Sequence, residues 1–382
     1  MNEILHYGHF SLKKWVSKMP DRMRANVGLE MRRCTRAVFR VAGYSNIGLR
    51  KKTNQDSCLA EVATTPYGDI ALVCVCDGVG GLSSGELASC SAIRWLIEWF
   101  ETRCSILLAQ YADLNVEALL DAIQIDWESG LLALNDELRR YGRSGGGSLG
   151  TTFTALLLYR GRYLIGHIGD TRVYRFYGGE MALLTDDQTW VAQELARGNI
   201  TLAQARSHPK KNVILQSVGT QSDLSPVFSR GDDAVNTTYM VCCDGYRNEL
   251  FDDEINSAFG GLEHAGEREM YDRLETLANL VMQRSELDNI SAVVLAHQAG
   301  ETYIDHELSD AMSTLREVEV KSHDERLYDD EPAEATTYLD DDAPVMPSEG
   351  SEGDQTTLLD DESYITQVLG TDLTTKAGEQ NG

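Results

Sequence analysis

Long apolar runs are missing from this chain. No stretch of about 18 apolar residues occurs in its 382 residues, so no membrane-spanning helix is expected. The N-terminal segment has no continuous apolar core and no small-residue cleavage site, so it is not expected to be a secretory signal. Positive charge is scarce as well: 34 Lys and Arg stand against 60 Asp and Glu, a net of −26. Phosphate backbones reward clustered cations, and nucleic acid is therefore not an expected partner. There are eight cysteines but no paired CxxC motifs, which removes the usual zinc-site pattern. Cys74 and Cys76 lie in IALVCVC, and Cys242 and Cys243 in TTYMVCC. Such residues read as reduced core cysteines of a cytoplasmic protein, acting as small hydrophobes.

What charge there is falls unevenly. Residues 301–382 hold 23 acidic and 4 basic side chains, whereas residues 1–40 hold 9 basic and 3 acidic. The asymmetry predicts a basic arm over residues 1–37, a globular body over 38–300 and an acidic tail over 301–382. Pro20 interrupts any long amphipathic helix in the arm, which is expected to be a solvated segment. From about residue 322 the chain is rich in Asp, Glu, Ser, Thr and Gly with sparse apolar residues, the composition of disorder.

Within the body, TRAVFRVAGYSN, DSCLAEV and DIALVCVCDG predict strands, and residues 85–110 and 115–140 carry apolar side chains at helical spacing. GTTFTALLLY, RYLIGHIGD and TRVYRFYGG predict three more strands, with Gly178–Gly179 marking a hairpin into EMALLT. TTYMVCCDG reads as a buried strand, YDRLETLANLVMQ as a helix and DNISAVVLAH as a closing strand. Strands and helices come in blocks without regular βαβ alternation, so an α+β layered fold is expected.

Four aspartates share one placement. Asp56, Asp77, Asp244 and Asp288 each stand at an end of a predicted buried strand, beside a small or amide residue. An isolated Asp-Gly is most often a turn. Four carboxylates against low-dielectric cores would repel one another unless cations sat between them. An all-oxygen set of this kind suits Mg²⁺ or Mn²⁺. Glycine directly after Asp77 and Asp244 is expected to let backbone approach a bound ion or phosphate.

The segments GLRKKTNQDS, DGVGG, LGTTFTAL, HIGDTRVYR, the block from Leu184 to Gly219, CDG and DNIS together resemble the metal-dependent protein phosphatase 2C family in its bacterial form, over about residues 38–298. The resemblance implies a four-layer sandwich, two antiparallel β-sheets flanked by helices, with a flap at about residues 186–222. It implies a protein serine/threonine phosphatase in which a metal-activated water attacks phosphoserine or phosphothreonine. Asp77 matches the aspartate that bridges two metals, the carbonyl of Gly78 a ligand of the second, Asp244 and Asp288 carboxylates of the first, and Asp56 the residue that holds metal-bound water. Asn289 is implied beside the site, and Asp170 as structural support through a hydrogen bond. His167 is expected to be a satisfied core histidine.

Three departures from the family pattern stand out. Lys51, with Arg50 next to it, occupies the position of the usual phosphate-binding Arg, keeping charge but losing the bidentate fork. Val79 stands where some members carry His, and SGGGSLG holds no acid for a third metal, so two ions are expected. A dedicated phosphatase opposing anti-sigma kinases is a rival reading that the complete flap block disfavours. A phosphoprotein-binding pseudophosphatase, scaffolding through its tail, is the alternative from another class. In that tail Thr336-Thr337-Tyr338-Leu339-Asp340-Asp341 is followed by Thr356-Thr357-Leu358-Leu359-Asp360-Asp361. A Thr before a hydrophobic anchor and acids suits a phosphoacceptor for a partner Ser/Thr kinase, and resembles the ligands of forkhead-associated domains.

Overall fold

The run GDIALVCVC forms strand β4 (Gly68–Cys76), buried along its whole length. Its alternate residues Ala71, Val73 and Val75 join the apolar cluster shared by two sheets, while Ile70, Leu72 and Cys74 are buried on the opposite face, toward helix α1 (Gly85–Glu98). A strand covered on both sides needs a continuous apolar run rather than alternation, which is what its sequence supplies. The computed structural model describes residues 5–10 and 37–299, apart from Pro66, residues 80–83, residues 112–114 and Glu263. Most of the basic arm and the whole acidic tail, with Thr336, Thr337, Thr356 and Thr357, lie outside the described residues.

The first sheet runs β1 (Leu5–Phe10), β3 (Ser57–Thr65), β4, β5 (Phe153–Tyr159), β6 (Arg162–Ile168), β9 (Val227–Asp232). The second runs β2 (Val38–Asn46), β11 (Ile290–Gln298), β10 (Thr237–Cys242), β7 (Arg172–Tyr177), β8 (Glu180–Leu183). Every pairing is antiparallel but one: β1 lies parallel to β3, in register Leu5↔Cys58 to Phe10↔Ala63. Residues 5–10 therefore form an edge strand where a solvated arm is expected from composition, and the first sheet is antiparallel only from β3 onward. The hairpin at Gly178–Gly179 is as expected: both glycines adopt positive φ (60° and 85°), the conformation a two-residue turn requires.

Helices cover the outer faces and complete four layers. Residues 85–110, expected as one helix, are α1, a π-helical turn at Trp99–Arg103 and α2 (Cys104–Tyr111). The π turn sends both Trp99 and Phe100 inward. Trp99 meets Trp127 edge-on at 5.3 Å and donates to Asp126 at 3.3 Å. Trp127 is the largest buried side chain of α3 (Val116–Tyr141), a helix capped by Asn115, whose side chain accepts from the Ala118 amide. Truncating such an aromatic to Ala would cost about 3–5 kcal/mol. On the other side, α8 (Glu267–Gln283) packs over β2 through Met270, Leu274 and Val281, with α6 (Asp244–Arg247) and α7 (Asp252–Phe259) before it.

The segment expected as a flap holds α4 (Trp190–Ala196) and α5 (Leu202–Ser207), capped by Thr189 and Thr201. Its base is tied by backbone bonds Trp190 N to Val213 O and Leu215 N to Gln188 O, at 2.9 and 2.7 Å. His208 stacks on Trp190 at 4.6 Å with Lys210 over the same ring.

Candidate metal centre

Antiparallel pairing explains how four distant aspartates meet. The end of β4 lies beside the start of β3 (Ser57↔Cys76), and the end of β10 beside the start of β11 (Cys242↔Ala292). Asp56 and Asp77 flank the first pair, Asp244 and Asp288 the second, and the two sheets face each other across the core. The charges of Asp56, Asp244 and Asp288 all act on Asp77, so the structure brings the predicted set together.

No ion pair reaches Asp56 or Asp77 among the described residues. Asp56 is 1% exposed, and neither of its carboxylate oxygens has a well-formed hydrogen bond, although Ser291 and Cys243 lie near enough to favour its ionised form. Burial, then Asp244 and Asp288, pushes its pKa up to about 7. Asp77 is pushed well above the carboxylate range by burial, then by Asp56, Asp244, Asp170 and Asp288. Two like charges 4 Å apart repel by about 4 kcal/mol at an effective dielectric of 20. The two buried, orphaned carboxylate oxygens of Asp56 beside three half-buried aspartates, with no imidazole among them, fit hard divalent cations such as Mg²⁺ or Mn²⁺.

The backbone around the aspartates is closely held. The Asp77 amide donates to Thr152 Oγ1 (2.8 Å), and the Asp77 carbonyl accepts from Thr152 N (2.8 Å) and Thr151 Oγ1 (3.0 Å). Asn289 accepts from Gln55 N at 2.9 Å and donates to the carbonyls of Ile47 and Thr53, so it clamps the loop that carries Lys51. Lys51 reaches Asp288 at 2.5 Å. Burial alone would lower its pKa, but the hydrogen bond and charge of Asp288, with Asp77 and Asp244, outweigh it and raise the value. Arg50 is exposed and makes no ion pair with these carboxylates.

The glycines after Asp77 and Asp244 also meet a packing requirement. A Cβ on Gly78 would stand 2.6 Å from the Gln55 carbonyl oxygen and from the Gly85 backbone. A Cβ on Gly245 would stand 2.1 Å from the Asn289 carbonyl oxygen. At both positions the protein's own backbone occupies the space a side chain would need, so only glycine fits.

Asp170 is 4% exposed with one oxygen lacking any partner, and burial followed by Asp244 pushes its pKa to about 7 against the pull of Arg247. The hydrogen bond made at this residue uses its backbone carbonyl, which accepts from Arg247 (3.1 Å). Arg247 also reaches Asp187, which takes a bidentate pair from Arg172 at 2.7 and 2.8 Å. His167 is satisfied, as expected, by Thr154 and the Asp186 carbonyl. Sequence reasoning gave no role to Thr151, Thr152, Asp187 or Arg247, and took Cys243 for a core hydrophobe. The Cys243 sulfur lies within 4.8 Å of ligand atoms of Asp56 and Asp77. Burial, then those two carboxylates, pushes its thiol pKa up, so it is a neutral neighbour rather than a thiolate. Its adjacency to Asp244 was the one available signal.

Comparison with known proteins agrees with this geometry. A family profile, Protein phosphatase 2C, matches residues 42–282. A 2C-type protein phosphatase of Streptococcus pyogenes is 32% identical over 272 residues, covering 69% of this chain and 99% of that protein. The serine/threonine protein phosphatase PstP of Mycobacterium tuberculosis is 29% identical over 259 residues, covering 67% of this chain, which spans about half (45%) of that protein's length. Among solved structures, the catalytic domain of a PstP phosphatase in complex with two manganese ions superposes with a TM-score of 0.51 at 25% identity, over 69% of this chain and all of that one. With that profile spanning most of its body, the chain belongs to the protein phosphatase 2C family.

Proposed function

We propose that the protein is a metal-dependent protein serine/threonine phosphatase that hydrolyses phosphoserine and phosphothreonine. One observation carries the reading: four strand-end aspartates converge, Asp56 buried and Asp77, Asp244 and Asp288 half-buried, with Lys51 paired to Asp288 as the cation among them. Asp56, Asp77, Asp244 and Asp288, with the Gly78 carbonyl, would hold two ions, Mn²⁺ or Mg²⁺. Bound there, such ions would lower the pKa of water and offset charge on phosphoryl oxygens. The relative holding two manganese ions supports that number, and the acid-free SGGGSLG segment gives no carboxylate for a third.

The chain's own groups supply orientation. Asp56, with two free acceptor oxygens, would accept hydrogen bonds from water and fix its lone pairs toward phosphorus. Thr151 and Thr152 keep the Asp77 peptide in place, and Asn289 holds the Lys51 loop against the centre. Lys51 would meet the substrate phosphate as a point charge. The implied partners are phosphoproteins of the cytoplasm, a Ser/Thr kinase that makes them, and forkhead-associated proteins reading the tail threonines.

The test is hydrolysis of p-nitrophenyl phosphate and a phosphothreonine peptide with and without Mn²⁺. Turnover is expected with the metal, none with EDTA, and nearly none in Asp77→Asn. A wild-type protein that binds phosphopeptide without turning over either substrate would instead support the pseudophosphatase reading.

A further inference from the structure

Beside the metal centre, and not part of it, lies an open cleft of about 430 Å³ between the end of α3 and the turn that closes the flap segment. Arg139, Arg143, Gly147, Ser148, Leu149 and Thr220 line it. Its walls connect directly to the backbone of the centre. Gly150, next to Leu149, accepts from the Val79 amide at 2.9 Å, and Thr151 pairs with Val218 on one side and bonds the Asp77 carbonyl on the other. Leu149 is thus two residues along an extended chain from the group that holds Asp77, about 7 Å.

The chemistry of the cleft runs against that of the molecule. In a chain of net charge −26, it gathers two guanidinium groups with a glycine-rich loop and the hydroxyl-bearing Ser148 and Thr220. Arg139 has an ion pair with Asp136 at a long 3.4 Å, its partner being 66% exposed, and Arg143 is exposed with no ion pair among the described residues. Such cations are available to an incoming anion. A guanidinium fork also matches a carboxylate or phosphoryl group better than an ammonium would.

We propose that this cleft binds an anionic side chain of the substrate, two to four residues from the phosphorylated Ser or Thr, so that Arg139 and Arg143 select phosphosites flanked by acid. Leu149 in the cleft wall is two residues along the chain from Thr151, which bonds the Asp77 carbonyl, and an extended peptide advancing about 3.3 Å per residue would span that separation and the side-chain reach at either end in two to four residues. The inference rests on the phosphatase reading above. The anion could be a carboxylate or a second phosphoryl group, and the two share the same recognition chemistry.

The experiment compares kcat/KM for three phosphothreonine peptides with Mn²⁺. One has neutral flanks, one has Asp two to four positions away, and one has a second phosphothreonine there. Wild type is expected to favour the Asp peptide, the doubly phosphorylated peptide or both by about tenfold over the neutral one, the size two partly screened charge contacts give together. Whichever is favoured identifies the source of the anion. The ratio should fall toward one in Arg139→Ala/Arg143→Ala and in high salt, and Arg139→Glu/Arg143→Glu should bring it below the double-Ala value. Thermal melting checks that each variant is folded. Equal rates on all three peptides in wild type, or a preference that survives in the folded double variant, would overturn the proposal while leaving the phosphatase reading intact. A wild type that hydrolyses none of the peptides nor p-nitrophenyl phosphate would refute both.

Discussion

Replacing Asp187 by Asn is the sharpest test of how the centre is braced. This one carboxylate takes two hydrogen bonds from Arg172 and a longer one, 3.3 Å, from Arg247, whose own side chain is only 11% exposed. Asn keeps the shape but removes the only negative charge in ion-pair contact with either guanidinium among the described residues. Breaking a buried pair typically costs 3–5 kcal/mol. The Arg172 side chain is 26% exposed and Asn still accepts one bond, so about 2–4 kcal/mol is expected here. That corresponds to a fall in Tm of about 6–12 °C. Arg247→Met should cost less, below about 1.5 kcal/mol, since it removes a buried cation while Asp187 keeps its bidentate partner. The effect also has a pH signature. Burial alone would raise the Asp187 pKa, but the hydrogen bonds of Arg172 and the charges of Arg247 and Arg172 outweigh it and hold the value below the usual carboxylate range. A depressed pKa means that the stabilisation is complete above the unfolded value, about 4, and is lost as pH falls through the folded value. Urea unfolding of wild type and Asp187→Asn should therefore differ clearly at pH 7 and converge below about pH 4. A difference under about 1 kcal/mol at pH 7, or an Arg247→Met variant as damaged as Asp187→Asn, would refute the argument.

Further outcomes follow from the close contacts at the centre. Gly78→Ala and Gly245→Ala each drive a Cβ into backbone, at 2.6 and 2.1 Å, and should abolish most p-nitrophenyl phosphate turnover; Gly261→Ala, with nothing within 4 Å, should be silent. Full activity in either of the first two would show that the backbone there can yield. Lys51→Ala should raise KM clearly, while Lys51→Arg should equal or better wild type by restoring the bidentate fork. Unchanged KM in both would make Lys51 a partner of Asp288 alone.

Much of this was legible from residues. Apolar and β-branched runs located β2 to β7, β10 and β11, and spacing of period 3.6 located the long helices, since burial writes itself into composition and spacing. What escaped was set by pairing rather than burial. β9, VFSRGD, is a half-exposed edge strand rich in polar residues, made a strand by its ladder to β6. β1 is fixed likewise by its parallel partner β3. The short α6 and α7 are too brief to show a period. The π turn at Trp99–Arg103 leaves the apolar pattern continuous while shifting the face it presents.

At the centre the division is similar, and it has a physical cause. An aspartate inside a buried strand would face the core with no counter-charge, whereas at a strand end the chain leaves the ladder and several such ends can converge. That constraint makes Asp56, Asp77, Asp244 and Asp288 visible as carboxylates beside apolar runs. The groups that aim them carry no such mark. Thr151 and Thr152 look like ordinary strand residues, and Asp187 and Arg247 are 60 positions apart. Their role exists only once two sheets and the flap base meet, so the charge set is readable in one dimension and its scaffold only in three. The same holds for Gly78 and Gly245: the sequence shows a glycine after each aspartate, and only the folded chain shows that the carbonyls of Gln55 and Asn289 leave no room for a Cβ there. A centre packed this way leaves its aspartates little freedom to move apart. Their mutual repulsion is then met by proton uptake, which is what the raised pKa values of Asp56 and Asp77 express, or by bound cations that displace those protons, which is a physical reason to expect metal there.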